Sequence, residues 1–372
     1  PLRRQRQMCI RDSIYREVLQ AVMLVTVGFL ALFFFFDLVD ELQDVGSGLI
    51  PYRTVDALLY VTLLVPGHLY ELLPIAVLLG TIFVLARFAQ SSEFTILRTS
   101  GLGPWRALRT LLVLGLGFVV LTFALGDYVS PLSDRGAQLL KARHSGDISV
   151  GQTGAWLREA QGDKRFSVNV GALASDTTMR NVRVYAFDEQ GYLSSLTEAA
   201  SGRVVPEGWQ LENVTRSLFP PAKAERARVA REQLPSYVWP TEISAEMVSA
   251  AVLKPDRMST IALFQYIQHL EANEQSAQRY AIEFWKKVFF PLSCLVMVVL
   301  ALPFAYLHFR SGNMAGYVFA GVLIGISFFL LNNVFGYIGN LRNWSPWIAA
   351  AAPGILYSLL SLGAFGWLVL KR

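Results

Sequence analysis

Stretches dominated by apolar residues recur six times along the chain, at residues 18–36, 57–87, 105–125, 287–307, 315–331 and 347–370. About 20 such residues, rising 1.5 Å each in a helix, cross ~30 Å of hydrocarbon, so each stretch predicts a membrane span. The first lacks a small-residue cleavage site and reads as an uncleaved span, not a signal peptide. The second is too long to cross upright, and Pro66 and Pro74 give it places to kink. Six spans set both termini on one side. Arg87, Arg98, Arg106 and Arg109 surround the loop between the second and third spans, Arg310 lies between the fourth and fifth, and Lys371 and Arg372 end the chain. The positive-inside rule makes those segments cytoplasmic. Asp37, Asp40, Glu41 and Asp44 follow the first span on the far side, where the long insert between spans three and four also falls. Trp105, Trp285, Trp344, Trp347 and Trp367 stand at span ends as an aromatic belt.

The insert, residues 130–255, changes to short alternating runs broken by turn residues. Residues 154–160, 165–170, 182–187, 192–199 and 209–218 predict strands, with turns at Glu189-Gln190-Gly191 and Pro206-Glu207-Gly208. The pattern predicts a β-meander folded as a sandwich or jelly roll. Ser259 then caps a helix through Leu270, with Leu263, Phe264, Ile267 and Leu270 on one face. The fold class is therefore an α-helical polytopic membrane protein of six spans with an inserted, jelly-roll-like all-β domain. Its domains are residues 14–129 with the first three spans, 130–255 with the β domain, and 256–372 with a connector and the last three spans. Residues 1–13 (PLRRQRQMCIRDS) read as translated adapter sequence joined to the gene and stand outside this division.

Composition agrees with this picture: 53% of the 372 residues are hydrophobic and 16% charged, which excludes a disordered chain and an ordinary soluble enzyme. The net charge of +5 contains no block of five or six like charges of the kind that binds nucleic acid, and basic residues at membrane edges account for it. Cys9 and Cys294 support neither a disulfide framework nor a metal site. No phosphate-binding loop, nucleophile elbow or H-E-x-x-H motif is present, so no catalytic residue is assigned. The centres of the spans carry no charge, which disfavours transport driven by an ion gradient. His68 and Glu71 fall near the outer interface, where polar groups reach water.

Energy for transport would then enter from another chain, and the cytoplasmic segment 91–101 offers a place. Ser91 or Ser92 caps a short helix there, Glu93 suits its positive end and Gly101 its left-handed stop. Phe94 and Leu97 share a face at i, i+3 that fits a partner's groove. Read alone, the same segment is better taken as a capped connector lying on the bilayer surface than as a docking site.

The run LARFAQSSEFTILRTSGLGPWRAL resembles the coupling segment of the lipopolysaccharide export permeases, LptF and LptG. DLVDELQDVGSG (37–48), LYELLPIAVLLGTIFVLA (69–86), GDYVSPLSDRGAQ (126–138) and RYAIEFWKKVFFPLSCLVMVVLALPF (279–304) resemble the same family, and the first is more similar to LptG than to LptF. The resemblance implies a periplasmic β-jelly-roll, a location in the inner membrane of a Gram-negative bacterium, and a heterodimer with an LptF-like permease. It implies two copies of the cytoplasmic ATPase LptB, which hold ATP and Mg while this chain holds no cofactor, and delivery of lipopolysaccharide to the bridge protein LptC. On this resemblance Ser92, Glu93, Phe94, Leu97, Arg98 and Gly101 form the ATPase-coupling site, with Glu93 at the family's coupling glutamate.

One position departs from the family. Asp37 stands where some members carry a lysine that meets substrate phosphate, and a carboxylate there should repel it. Arg135, Lys141 and Arg143, after the third span, are the basic candidates for a lipid A phosphate, or else a solvated face. In the β domain, alternation points Phe166, Val168 and Val170 one way, as it does Val182, Val184 and Ala186. Phe166, Val168 and Val184 are the candidates for sheltering acyl chains; a plain sandwich would bury them against each other. A secondary transporter and a membrane-anchored assembly or binding protein remain the alternative classes.

Overall fold

The computed structural model describes residues 2–46, 52–90, 104–145, 148–149, 155–162, 164–173, 178–220, 228–244, 247–248, 255–273, 275–305 and 314–370. Among the described residues, six helices are long and apolar enough to cross a membrane: Ile14–Leu42, Thr54–Gln90, Trp105–Lys141, Gln278–Phe304, Ala315–Leu341 and Pro346–Trp367. A seven-stranded antiparallel sheet is inserted in the chain between the third and fourth. The chain is thus a polytopic membrane protein with a β domain. Contacts divide it into two compact units. One is Pro1–Asp37, Leu64–Pro131 and Ala281–Arg372; the other is Leu38–Leu63 and Leu132–Tyr280.

The helical unit is built around α2 (Thr54–Gln90), whose Leu73, Val77, Leu78, Ile82, Leu85 and Phe88 are buried in its core. Helix α2 runs unbroken through Pro66 and Pro74. On one side it meets α1 (Leu2–Leu42), where a Cβ added to Gly80 would lie 2.7 Å from the Val22 backbone nitrogen. On another it meets α8 (Met314–Leu341), where side chains at Gly321 or Gly325 would strike Ile82 or Ile75. This is the small-residue packing by which helices approach closely when lipid supplies no hydrophobic drive between them. Helix α3 (Pro104–Ala124) passes through a π turn (Leu125–Val129) into α4 (Ser130–Ser145), so the segment after residue 130 begins as helix and not as sheet. The fourth span is segmented into α6 (Gln278–Phe289) and α7 (Ser293–Ala301) by a 3-10 turn, Phe290–Leu292. Pro291 sits in that turn and has no N–H to give the helical ladder. Helix α9 (Pro346–Leu370) ends the unit.

In the second unit, β1 (Ile148–Ser149) and β2 (Ala155–Gln161) both pair with β3 (Lys164–Leu173). Then β4 (Met179–Phe187), β5 (Leu193–Val205), β6 (Gly208–Leu218) and β7 (Ala230–Trp239) follow as a meander in chain order. Strands β2 to β6 fall where alternation predicts them. Strands β1 and β7 do not: β1 has two residues, and β7 carries Arg231, Glu232, Gln233 and Pro235 with little apolar alternation.

A crease crosses this sheet. Inward-facing buried positions advance by three instead of two at Met179/Val182, Ala199/Gly202 and Leu211/Val214. The ladders skip the same place on five strands, leaving Gly171, Asn181, Ala200, Asn213 and Pro235 in one row without register partners. Asn181 and Asn213 take φ of 52°, the left-handed region that asparagine tolerates. Such irregularities bend a strand, and aligned across neighbours they bend the sheet. The consequence is visible in β3 and β7. Four strand spacings would separate them by ~19 Å in a flat sheet, yet the Phe166 and Trp239 rings are 5.7 Å apart. The meander is rolled.

Ser259 caps α5 (Thr260–Ala272) by accepting from the Ala262 amide at 3.2 Å, as the sequence predicts. The buried face is Leu263, Tyr266 and Leu270, and Phe264 is exposed. The apolar stripe is therefore one step away from the one expected, because Tyr266 rather than Phe264 turns inward and meets Tyr280 edge-on.

Candidate functional site

Within the helical unit, Asp37 has a specific partner. Its carboxylate lies 2.6 Å from His68 Nε2, and the His68 ring lies 5.2 Å from that of Phe33. Asp37 on α1 and His68 on α2 are 31 residues apart in sequence, and both are about a quarter exposed. The pair gives His68 a specific partner on α1 and places an imidazole beside the carboxylate at position 37. Close by in sequence, Tyr70 fills the space of the missing side chain at Gly126: a Cβ there would lie 2.2 Å from the phenol ring. Gly126 belongs to the π turn, and its carbonyl accepts from the buried Lys287 Nζ at 3.1 Å. π turns are often found at functional sites. This one holds the buried Asp127. The motif GDYVSP carries the only sequence signal for it, since α-helical periodicity continues on either side.

Within the β unit, the basic cluster is only partly brought together. Helix α4 carries Arg135 and Lys141 six residues apart, and so roughly 120° apart around the axis. Lys141 Nζ donates to Glu41 at 3.1 Å and to Asp44 at 3.2 Å, and lies 5.0 Å above the Tyr60 ring. Tyr52 donates its hydroxyl to the same Glu41 at 2.9 Å; burial and then that bond hold its phenol well above the ordinary value. Lys141 is therefore held in an acidic network by Glu41 and Asp44. Arg135 is exposed. Arg143 belongs to the same helix, and its side chain lies outside the described residues.

The three apolar candidates of the sheet do share a face. Val168 stands opposite Val184, Phe166 opposite Ala186, and Val170 opposite Val182. Val168 and Val184 are buried and Phe166 is half-buried, so the face is closed in this structure. At the rim of the same face is a residue that sequence reading passed over, Glu159. It is only 6% exposed, and it accepts from Thr241 Oγ1 at 2.6 Å, the Glu242 amide at 2.8 Å and Gln161 Nε2 at 3.0 Å. Nearby, α5 ends at Asn273, whose Oδ1 accepts from the Ala160 amide at 2.9 Å. His269 of that helix buries a ring Nε2 that has no hydrogen-bond partner among the described residues. Burial pushes its pKa down, and the Glu159 carboxylate opposes that shift.

The coupling candidates Ser92, Glu93, Phe94, Leu97, Arg98 and Gly101 lie outside the described residues. The helix before them is tied down: Arg87 near the end of α2 donates to Glu17 of α1.

The sequence profile of the lipopolysaccharide export system permeases LptF/LptG matches residues 13–370. The lipopolysaccharide export system permease protein LptG of Escherichia coli K12 is 29% identical over 338 residues, which cover 90% of each chain. That of Haemophilus influenzae Rd is 26% identical over 356 residues, 95% of this chain and 94% of the relative. The matches run through the spans and the inserted sheet alike, and the chain belongs to the LptF/LptG family of lipopolysaccharide export system permeases.

Proposed function

We propose that this chain is the LptG-type subunit of an ATP-driven exporter that lifts lipopolysaccharide from the outer leaflet of the inner membrane and passes it along its periplasmic β domain. The observation that carries the reading is the family match from residue 13 to residue 370, which takes in both the spans and the inserted sheet. Both termini and residues 91–101 face the cytoplasm, in keeping with the arginines around that loop. An LptF-type permease completes the membrane dimer, an LptB-type ATPase dimer with ATP and Mg docks at residues 91–101, and an LptC-type bridge receives the lipid. The chain has no phosphate-binding loop and no charge at the centre of its spans, so the work of transport enters through that dock. Glu93 supplies a charged contact to the ATPase, and Phe94 and Leu97 fill its groove. Ser92 and Gly101 cap the segment, and Arg98 keeps it on the cytoplasmic side.

At the outer side Arg135 is the exposed base for a lipid A phosphate. Lys141 can join it only by leaving Glu41 and Asp44. Acyl chains are sheltered by the face that holds Phe166, Val168 and Val184, once the roll admits them. Purification from membranes by a tag on this chain tests the assignment. Stoichiometric recovery of a second permease and a cytoplasmic ATPase, with lipopolysaccharide release on ATP addition, is expected. Export that follows an imposed ion gradient and ignores ATP would overturn it.

A further inference from the structure

We infer that the side-chain seam between β2 and residues 240–243 is where the β domain opens to admit acyl chains, and that Glu159 is the positioning residue that holds it shut. The inference rests on the proposed passage of lipid along the inner face of the sheet. Among the described residues no ladder joins β7 to β2 or β3. The roll is closed there by other bonds: Gln161 Nε2 donates to the Pro240 carbonyl at 2.8 Å, and the Glu159 carboxylate accepts from Thr241 Oγ1 and the Glu242 amide. Ile243 belongs to the opposite lip, because its carbonyl accepts from the buried Trp209 Nε1 of β6 at 2.8 Å. Residues 240–243 therefore travel with β6 and β7, and Glu159 travels with β2 and β3.

The chemistry of this seam suits reversible opening. A buried carboxylate is costly unless its oxygens are satisfied, and Glu159 forms no ion pair among the described residues. Its three donors are what make burial tolerable. When the lips part, Gln161 stays with Glu159 on β2 while water replaces the Thr241 and Glu242 donors, and the carboxylate regains hydration that offsets the lost bonds. A strand ladder of seven residue pairs, such as the one joining β2 to β3, would have to break many more bonds together. Behind the seam stand Phe166 and Trp239 in ring contact, with Trp209 edge-on to Trp239 at 5.4 Å, an apolar lining exposed as the lips separate. The crease through Gly171, Asn181, Ala200, Asn213 and Pro235 supplies the line about which the sheet bends.

The experiment uses the full chain in its membrane complex, with Cys9→Ser and Cys294→Ala as background. Gln161→Cys and Pro240→Cys are introduced together to lock the seam, and a photo-crosslinker replaces Phe166. Oxidation should cut both capture of lipopolysaccharide at position 166 and ATP-driven export at least tenfold, and reductant should restore both. Capture that persists in the locked protein overturns the seam while leaving the conduit intact. Export without capture in the reduced protein overturns the conduit reading, and this inference with it. A second variant needs no disulfide: Glu159→Ala should speed hydrogen exchange of the Glu242 amide and raise capture in the absence of ATP. Unchanged exchange and capture in that variant would contradict the role of Glu159.

Discussion

In the helical unit the closest packing occurs where side chains are missing, at Gly80 against Val22 and at Gly321 and Gly325 against Ile82 and Ile75. In the β unit the core is made by large side chains placed on one face, with Trp209, Leu211, Leu157 and Met179 fully buried, and the roll is closed by polar bonds around Glu159. The difference follows from the solvent. Lipid gives two apolar helices no reason to exclude it from between them, so backbones must touch to gain dispersion. Water gives a sheet a strong reason to bury one face, and leaves its rim free to use hydrogen bonds that can exchange with solvent. Rigid packing in one unit and a hydratable closure in the other are what the proposed passage of force through the spans and of lipid along the sheet would require.

Three perturbations separate these modes. Trp209→Ala should cost the β unit the most, ~3–5 kcal/mol, since it empties a fully buried site and frees the Ile243 carbonyl. Hydrogen exchange in the full chain should then rise across β5 to β7 and stay unchanged in α2 and α3. Gly80→Leu should destabilise the helical unit by ~1–3 kcal/mol, because the Val22 backbone cannot yield to a side chain. Thermal unfolding in detergent should show it, with β-unit exchange unaffected. Equal spread of either effect through both units would break the comparison.

The smallest effect is a dependence on pH. His269 has its pKa lowered by burial, with the Glu159 carboxylate opposing, so the unfolded chain binds the proton more readily than the folded one. Its contribution to stability is fully present above the ordinary histidine value of 6.5 and is lost as pH falls below it toward the folded value. Exchange at β2 and α5 amides should accelerate as pH falls below 6.5, and His269→Gln should flatten that dependence.

The parts legible in the sequence were those with a local period. Twenty-residue apolar stretches marked all six spans, and alternation marked β2 to β6. Strand β7 was hidden because Arg231, Glu232 and Pro235 erase alternation on an exposed strand. The crease was hidden because an asparagine at positive φ looks like any polar residue until its neighbours are paired. Partners of charged residues were the least legible. Asp37 finds His68 across 31 residues and Lys141 finds Glu41 across 100, and no single sequence carries that information. The sequence likewise gives no sign of the acidic partners of Lys141, and Glu159 reads as an ordinary strand residue although it accepts three hydrogen bonds at the rim.

The central claim is that work entering at residues 91–101 moves lipid along the inner face of the β domain. Its most direct test is a photo-crosslinker at Val168, carried in the complete membrane complex with and without Glu93→Ala. The account predicts lipopolysaccharide capture that requires ATP in the parent protein and falls at least tenfold in the Glu93 variant, with the complex still folded. Capture at the same level without ATP, or undiminished in that variant, would contradict it.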